Sequence, residues 1–164
     1  MKTALFLGLS FSCFVFADLL EFENAVYSGS GCQQTEPFLM SDKHAFYFGT
    51  PKYYVENGED KNCILVLRVR PKKSIKVAIS HIKIRSSAHL PDKATANFQA
   101  QSMSHLFKGP LREENSLILT TKEEDLIWSE CGRPANLKIH TRLKVPEGSV
   151  QIISLRVSLK TDPC

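Results

Sequence analysis

The sequence predicts an all-β fold, an antiparallel β-sandwich with Greek-key-like connections and two disulfides. Three observations carry that expectation: period-two alternation along much of the chain, closely spaced turn residues, and an even set of cysteines behind an apolar leader. The alternation is cleanest from Leu137 to Val145, where Leu137, Ile139, Leu143 and Val145 face one way and Lys138, His140, Arg142 and Lys144 the other. A helix cannot separate those two sets onto opposite faces.

The chain opens Met1-Lys2-Thr3, runs apolar from Ala4 through Phe16, and reaches Ala17 two positions after Val15. This is the pattern of a secretory signal peptide over residues 1–17, leaving 18–164 as a single β-sandwich domain. The run falls short of the about 20 apolar residues of a membrane span, and Asp18, Glu21 and Glu23 follow at once. Two alternatives are a retained anchor and a lipoprotein leader ending at Cys13; the second lacks an aliphatic residue three positions ahead of the cysteine. The expected location is therefore secreted, extracellular or periplasmic, with no membrane span after cleavage. Loss of Lys2 takes the formal charge from +4 to +3, a balance too even to announce a nucleic-acid partner.

Removal of Cys13 with the leader leaves Cys32, Cys63, Cys131 and Cys164. In an exported chain that count reads as two disulfides. Three pairings are possible, of which Cys32 with Cys63 and Cys131 with Cys164 is preferred; each would close a loop of about thirty residues, contributing roughly 3 to 4 kcal/mol. No two cysteines share a C-x-x-C spacing and no histidine pair stands at ligand spacing, so neither a metal nor a cofactor is expected.

Strands follow in order. Short ones are expected at Phe38 to Met40, His44 to Phe48 and Lys52 to Val55. Cys63, Leu65, Leu67 and Val69 then alternate with polar positions that include Arg68, and Ala94 to Ala100 does the same with its even positions apolar. Two strands change phase. Odd apolar positions from Ile75 to Ile79 give way to Ile82 and Ile84, which calls for a bulge near Ser80-His81; Val150 and Ile152 shift likewise to Ile153, Leu155, Val157 and Leu159. Ser116 to Thr120 and Leu126 to Trp128 complete the set, and Thr121 ahead of Glu123 and Glu124 has the look of a cap for one helical turn. Turns fall at Ser28-Gly29-Ser30-Gly31, Asn57-Gly58, Pro71, Pro91-Asp92, Gly109-Pro110, Gly132-Arg133-Pro134 and Pro146-Glu147-Gly148.

The order Gly29-Ser30-Gly31-Cys32, Asn62-Cys63 with its alternating strand and Pro71, Lys108-Gly109-Pro110, and Trp128-Ser129-Glu130-Cys131-Gly132 leading into Leu137 to Leu143 resembles the secreted domain-of-unknown-function family 4360. The resemblance covers nearly all of the chain beyond the leader. It implies export, a β-rich fold and cysteine pairs that open and close the core, and it implies no activity. Where members usually read Leu-Asn-Ile-Asn-Thr, this chain has Leu137-Lys138-Ile139-His140-Thr141, which places two basic residues on the solvent side of the strand.

Function has to come from surface chemistry. Pairing Cys63–Arg70 with Ser74–Ile79 as a hairpin aligns Val69 with Ile75, Leu67 with Val77 and Leu65 with Ile79, and sets Arg68 opposite Lys76. Arg68, Arg70, Lys72, Lys73 and Lys76 would then form a positive patch that a polyanion or acidic partner could neutralise, or a solvated hairpin end that resists aggregation. The leading expectation is an exported binding or interaction module for a glycan, anionic polymer or partner protein. Two alternatives stand beside it: a small secreted hydrolase assembled from scattered residues, and a structural or protective surface protein. His44, His81, His89, His105 and His140 lie on separate segments, with no Gly-x-Ser-x-Gly to place a nucleophile. The pairs Glu113-Glu114 and Glu123-Glu124 sit in polar connections; no catalytic residue is assigned. Of the aromatics Phe46, Tyr47, Phe48, Tyr53 and Tyr54, alternation buries Phe46 and Phe48 and leaves Tyr47 on the surface, where a ring could stack on a sugar. Trp128 is expected to pack beside the Cys131 bridge.

Overall fold

Ten strands form two antiparallel five-stranded sheets in the computed structural model, which describes residues 19–32, 39–42 and 45–164. The expected signal peptide, the strand start at Phe38 and His44 lie outside them. The strands are β1 (Leu20–Ser28), β2 (Leu39–Asp42), β3 (Ala45–Glu56), β4 (Glu59–Pro71), β5 (Ile75–Leu90), β6 (Thr95–Ala100), β7 (Met103–Lys108), β8 (Leu111–Thr120), β9 (Ala135–Val145) and β10 (Ser149–Pro163). The front sheet has the order β1-β4-β9-β6-β7 and the back sheet β2-β3-β10-β5-β8.

Alternation becomes a core where the two inner faces meet. Cys63, Leu65, Leu67 and Val69 of β4 and Leu137, Ile139, Leu143 and Val145 of β9 are buried from the front sheet; Phe46, Phe48, Tyr53, Val55, Ile82, Ile84, Ile152, Leu155 and Val157 close over them from the back. A fully buried Leu or Ile contributes roughly 1.5–3 kcal/mol, so the two sheets hold each other far more firmly than either could hold itself.

Both phase changes are bulges. Ile79 pairs with Leu159 and His81 with Ser158, leaving Ser80 as the extra residue, with its hydroxyl donating to the Ser158 carbonyl at 3.0 Å. In β10, Ile152 pairs with Ser86 and Ser154 with Arg85, so Ile153 is extra. Each bulge returns the apolar residues on both sides of it to the same core. A third, in β1, sets Phe22 opposite Val69 and Asn24 opposite Arg68 and leaves Glu23 unpaired between them. That shift breaks the alternation of β1, which is why the pattern conceals this strand.

The connections differ from the expected hairpin. β4 and β5 are in different sheets: the chain turns over through Lys72 to Ser74, with the Ile75 N–H donating to the Lys72 carbonyl and the Lys72 N–H to Leu19. β4 takes β1 and β9 as neighbours, while β5 takes β10 and β8. Arg68 therefore faces Asn24 and Asn136 across the ladder, and Lys76 faces Asp162. Both arrangements bury the same side chains, so alternation alone cannot choose between them. Leu126 to Trp128 is not a strand but part of an irregular connection from β8 to β9. The single helical turn spans Glu123–Asp125, with Lys122 in place of Thr121 at its cap and no side-chain capping bond. The stretches Ala45–Phe48 and Lys52–Val55 merge into β3, and β7 pairs with β6 as an edge strand.

Candidate ligand-binding surface

The turn between β4 and β5 is fixed from beneath. The Cys131–Cys164 disulfide, with Cα atoms 6.1 Å apart, joins the β8–β9 connection to the chain end after β10. Beside the bridge the Gly132 N–H donates to Ile75 and the Cys164 N–H to Ser74. Gly132 has φ +62°, and a Cβ there would lie 2.5 Å from the Lys73 Cα, so only glycine lets this connection pass under the turn. The Cys32–Cys63 bridge, Cα atoms 5.3 Å apart, fastens the segment after β1 into the core. The cysteines pair as preferred from the sequence.

This end of the sandwich holds a cleft of about 710 Å³ lined by Leu20, Glu21, Phe22, Arg70, Pro71, Lys72, Lys73 and Gly132. The five basic residues divide around it. Arg68 and Arg70 stand on the outer face of the front sheet, and Glu23, turned out by the β1 bulge, pairs with both at 2.6 Å. Lys76 lies on the back sheet, 3.1 Å from Asp162, with its ammonium 4.9 Å from the centre of the half-buried Trp128 ring. Lys72 and Lys73 are exposed at the rim and make no ion pair among the described residues. Arg70, Lys72 and Lys73 thus share the cleft, while Arg68 and Lys76 are held away from each other on opposite sheets. Glu23 was not singled out by sequence reasoning, and no local signal marks it, because its role follows from the bulge.

The other candidates are dispersed. His81 and His89 are on β5, His105 on β7 and His140 on β9. The Ser80 hydroxyl lies 3.2 Å from Nδ1 of His81, its sequence neighbour, and is also engaged with the Ser158 carbonyl. His105 stacks edge-on against Phe107 at 4.8 Å. Glu114 pairs with Arg85 and Glu123 with Lys160. Among the described residues no group of three His, Cys, Asp or Glu is placed to hold a metal.

Phe46, Phe48 and Tyr53 are buried and Tyr54 is half exposed; the Tyr47 ring is covered by the Arg156 guanidinium, 4.9 Å from its centre. The buried Tyr53 hydroxyl donates to the Lys61 carbonyl and receives the Thr141 hydroxyl. Burial pushes its pKa up to about 12. On the outer face, the Arg142 guanidinium forks onto Asp60 and holds that carboxyl below its usual range; on the other side of β4, Lys61 lowers the pKa of Glu59.

A family-wide sequence profile matches residues 20–162. The chain belongs to the family Domain of unknown function (DUF4360). No curated protein matches it. Among solved structures, this DUF4360 chain is similar to a family two carbohydrate esterase from Cellvibrio japonicus, at 11% identity and a TM-score of 0.35 over 86% of its own length, and it spans 36% of that chain. It is also similar to TmCBM61 in complex with β-1,4-galactotriose, at 12% identity and a TM-score of 0.27, covering 88% of this chain and 91% of that one. The Cry4Aa toxin from Bacillus thuringiensis follows at 9% identity and a TM-score of 0.36, covering 71% of this chain and 21% of the toxin. Likenesses at this level carry no argument about ligand. Among the described residues no helix is long and apolar enough to cross a membrane.

Proposed function

We propose that this DUF4360 chain is an exported binding module whose ligand carries negative charge and docks at the cleft rimmed by Arg70, Lys72 and Lys73. One observation carries the reading: two exposed lysines, without an acidic partner among the described residues, share the mouth of a cleft with Arg70. Like charges crowded in a turn repel one another, and an anion relieves that repulsion. Gly132 and the Cys131–Cys164 bridge hold the turn in place, so little ordering entropy opposes binding. Export is supported by the leader pattern of residues 1–17 and by the two disulfides, which persist in oxidising compartments.

The test is binding of the disulfide-bonded protein to an array of acidic glycans and anionic polymers at low and physiological salt. Binding that weakens with salt and disappears in Lys72→Glu/Lys73→Glu is expected, with Lys76→Glu much milder because Asp162 already answers that charge. No binding at either salt, or full binding by the double variant, would remove the cleft from consideration.

A further inference from the structure

Lys138, His140, Arg142 and Lys144 are all exposed on the outer face of β9, because alternate positions of a strand share a side. The ladder carries this row towards the cleft. Asn136 lies opposite Arg68, and Arg70 is the next outward residue of β4. From the rung of Arg68 to that of Lys144 is eight residues of β9, about 27 Å at the rise of an antiparallel strand.

Three properties of this face define what would lie on it. First, the row is only partly compensated: Glu23 takes Arg68 and Arg70, and Asp60 takes Arg142 and stands opposite Lys144, but Lys138 and His140 stand opposite Val66 and Ile64. Second, those aliphatic neighbours continue to Val26, which is 61% exposed. Third, neutral amides flank the row, with Gln99 opposite Arg142, Asn97 opposite Lys144 and Asn136 one step before Lys138 on the same side. Basic residues guard many exposed sheet edges against aggregation, but β9 is bonded to β4 along its length and to β6 from Thr141 to Lys144, so Arg142 and Lys144 lie between two neighbouring strands. Edge protection therefore gives no reason for Arg142 and Lys144.

We infer that the outer face of the front sheet is a binding track for a linear acidic polysaccharide. The cations meet its carboxylate or sulfate groups, the amides supply both donors and acceptors for its hydroxyls, and the C–H faces of its rings lie over Ile64 and Val66. Single-stranded nucleic acid would instead call for aromatic rings on which bases stack, and the outer positions of β1, β4, β9, β6 and β7 carry none besides the His140 imidazole among the described residues. The inference extends the cleft reading along the sheet, but it stands on residues which that reading does not use.

Calorimetric titration of the disulfide-bonded protein with a galacturonate dimer, with oligogalacturonates long enough to span the face, and with single-stranded DNA of matching length tests it. Long chains are expected to bind at least tenfold more tightly than the dimer. Lys138→Glu/Lys144→Glu should erase that gain; Lys138→Arg/Lys144→Arg should keep it. Unchanged thermal unfolding of both variants would show that the sheet is intact. Equal affinity for dimer and long chains would overturn the track and leave the cleft standing. Long-chain binding that depends on Lys138 and Lys144 but is untouched by Lys72→Glu/Lys73→Glu would do the reverse. DNA bound as tightly, through the same residues, would overturn the assignment to a polysaccharide, and no binding of any probe would overturn both readings.

Discussion

Replacing each disulfide by a pair of alanines separates loop entropy from burial, because the two bridges close loops of nearly equal length. The sequence separations are 31 for Cys32–Cys63 and 33 for Cys131–Cys164. In the chain-entropy relation both give about 3.7 kcal/mol at room temperature, with a difference below about 0.1 kcal/mol. Surroundings differ sharply: Cys32 and Cys63 are 8% and 1% exposed, whereas Cys131 and Cys164 lie open at the surface. Removing two buried sulfur atoms adds a transfer and cavity contribution of roughly 1–2 kcal/mol to the first pair and almost nothing to the second. Urea denaturation without reductant should therefore show Cys131→Ala/Cys164→Ala losing about 3–4 kcal/mol and Cys32→Ala/Cys63→Ala about 5–6 kcal/mol. Equal losses, or a larger loss at the surface bridge, would refute the reasoning and mean that the β8–β9 connection carries more of the fold than its exposure indicates.

Two further outcomes follow from the interior. Tyr53 has its pKa raised from an ordinary value near 10 to about 12, so its contribution is fully present below pH 10 and is lost as pH rises through 12, a change on the order of 3 kcal/mol. Tyr53→Phe should flatten that alkaline limb of stability measured by urea titration, while costing about 1 kcal/mol at neutral pH for the bond to Lys61; an unchanged limb would place the alkaline transition elsewhere. Ser80→Ala should cost about 1 kcal/mol through the lost bond to the Ser158 carbonyl, whereas deletion of Ser80 removes the bulge and turns Val77 and Ile79 outward. Circular dichroism should find the alanine variant folded and the deletion variant unfolded, and a folded deletion variant would show that the register does not depend on the bulge.

The order of strands bears on how the surface forms. β9 and β10 are the last two strands in the chain yet occupy the middle of the front and back sheets. Neither sheet can be completed until the end of the chain is in place, and contacts of such long sequence separation make for slow folding. Arg68 on β4 and Lys138 on β9 come onto one face only through this late pairing. The basic row is thus a product of the assembled front sheet.

Much of the architecture was legible from residue order alone. Period-two alternation marked β4, β6, β9 and the two arms of β5 and β10, and the phase changes located the bulges at Ser80 and Ile153, because a buried face tolerates no slip of one residue. The preferred pairing of cysteines also stands. The neighbours of each strand were not legible. Val69 and Ile75 alternate as a hairpin would, yet they belong to opposite sheets, so the five cations read as one patch became a divided set, with Glu23 against Arg68 and Arg70, Asp162 against Lys76, and only Lys72 and Lys73 without an ion pair among the described residues. The direction of a side chain is a local property of an extended backbone and is written in the sequence. The partner of a backbone N–H is settled by the packing of distant segments, and only the tertiary structure decides which charges meet.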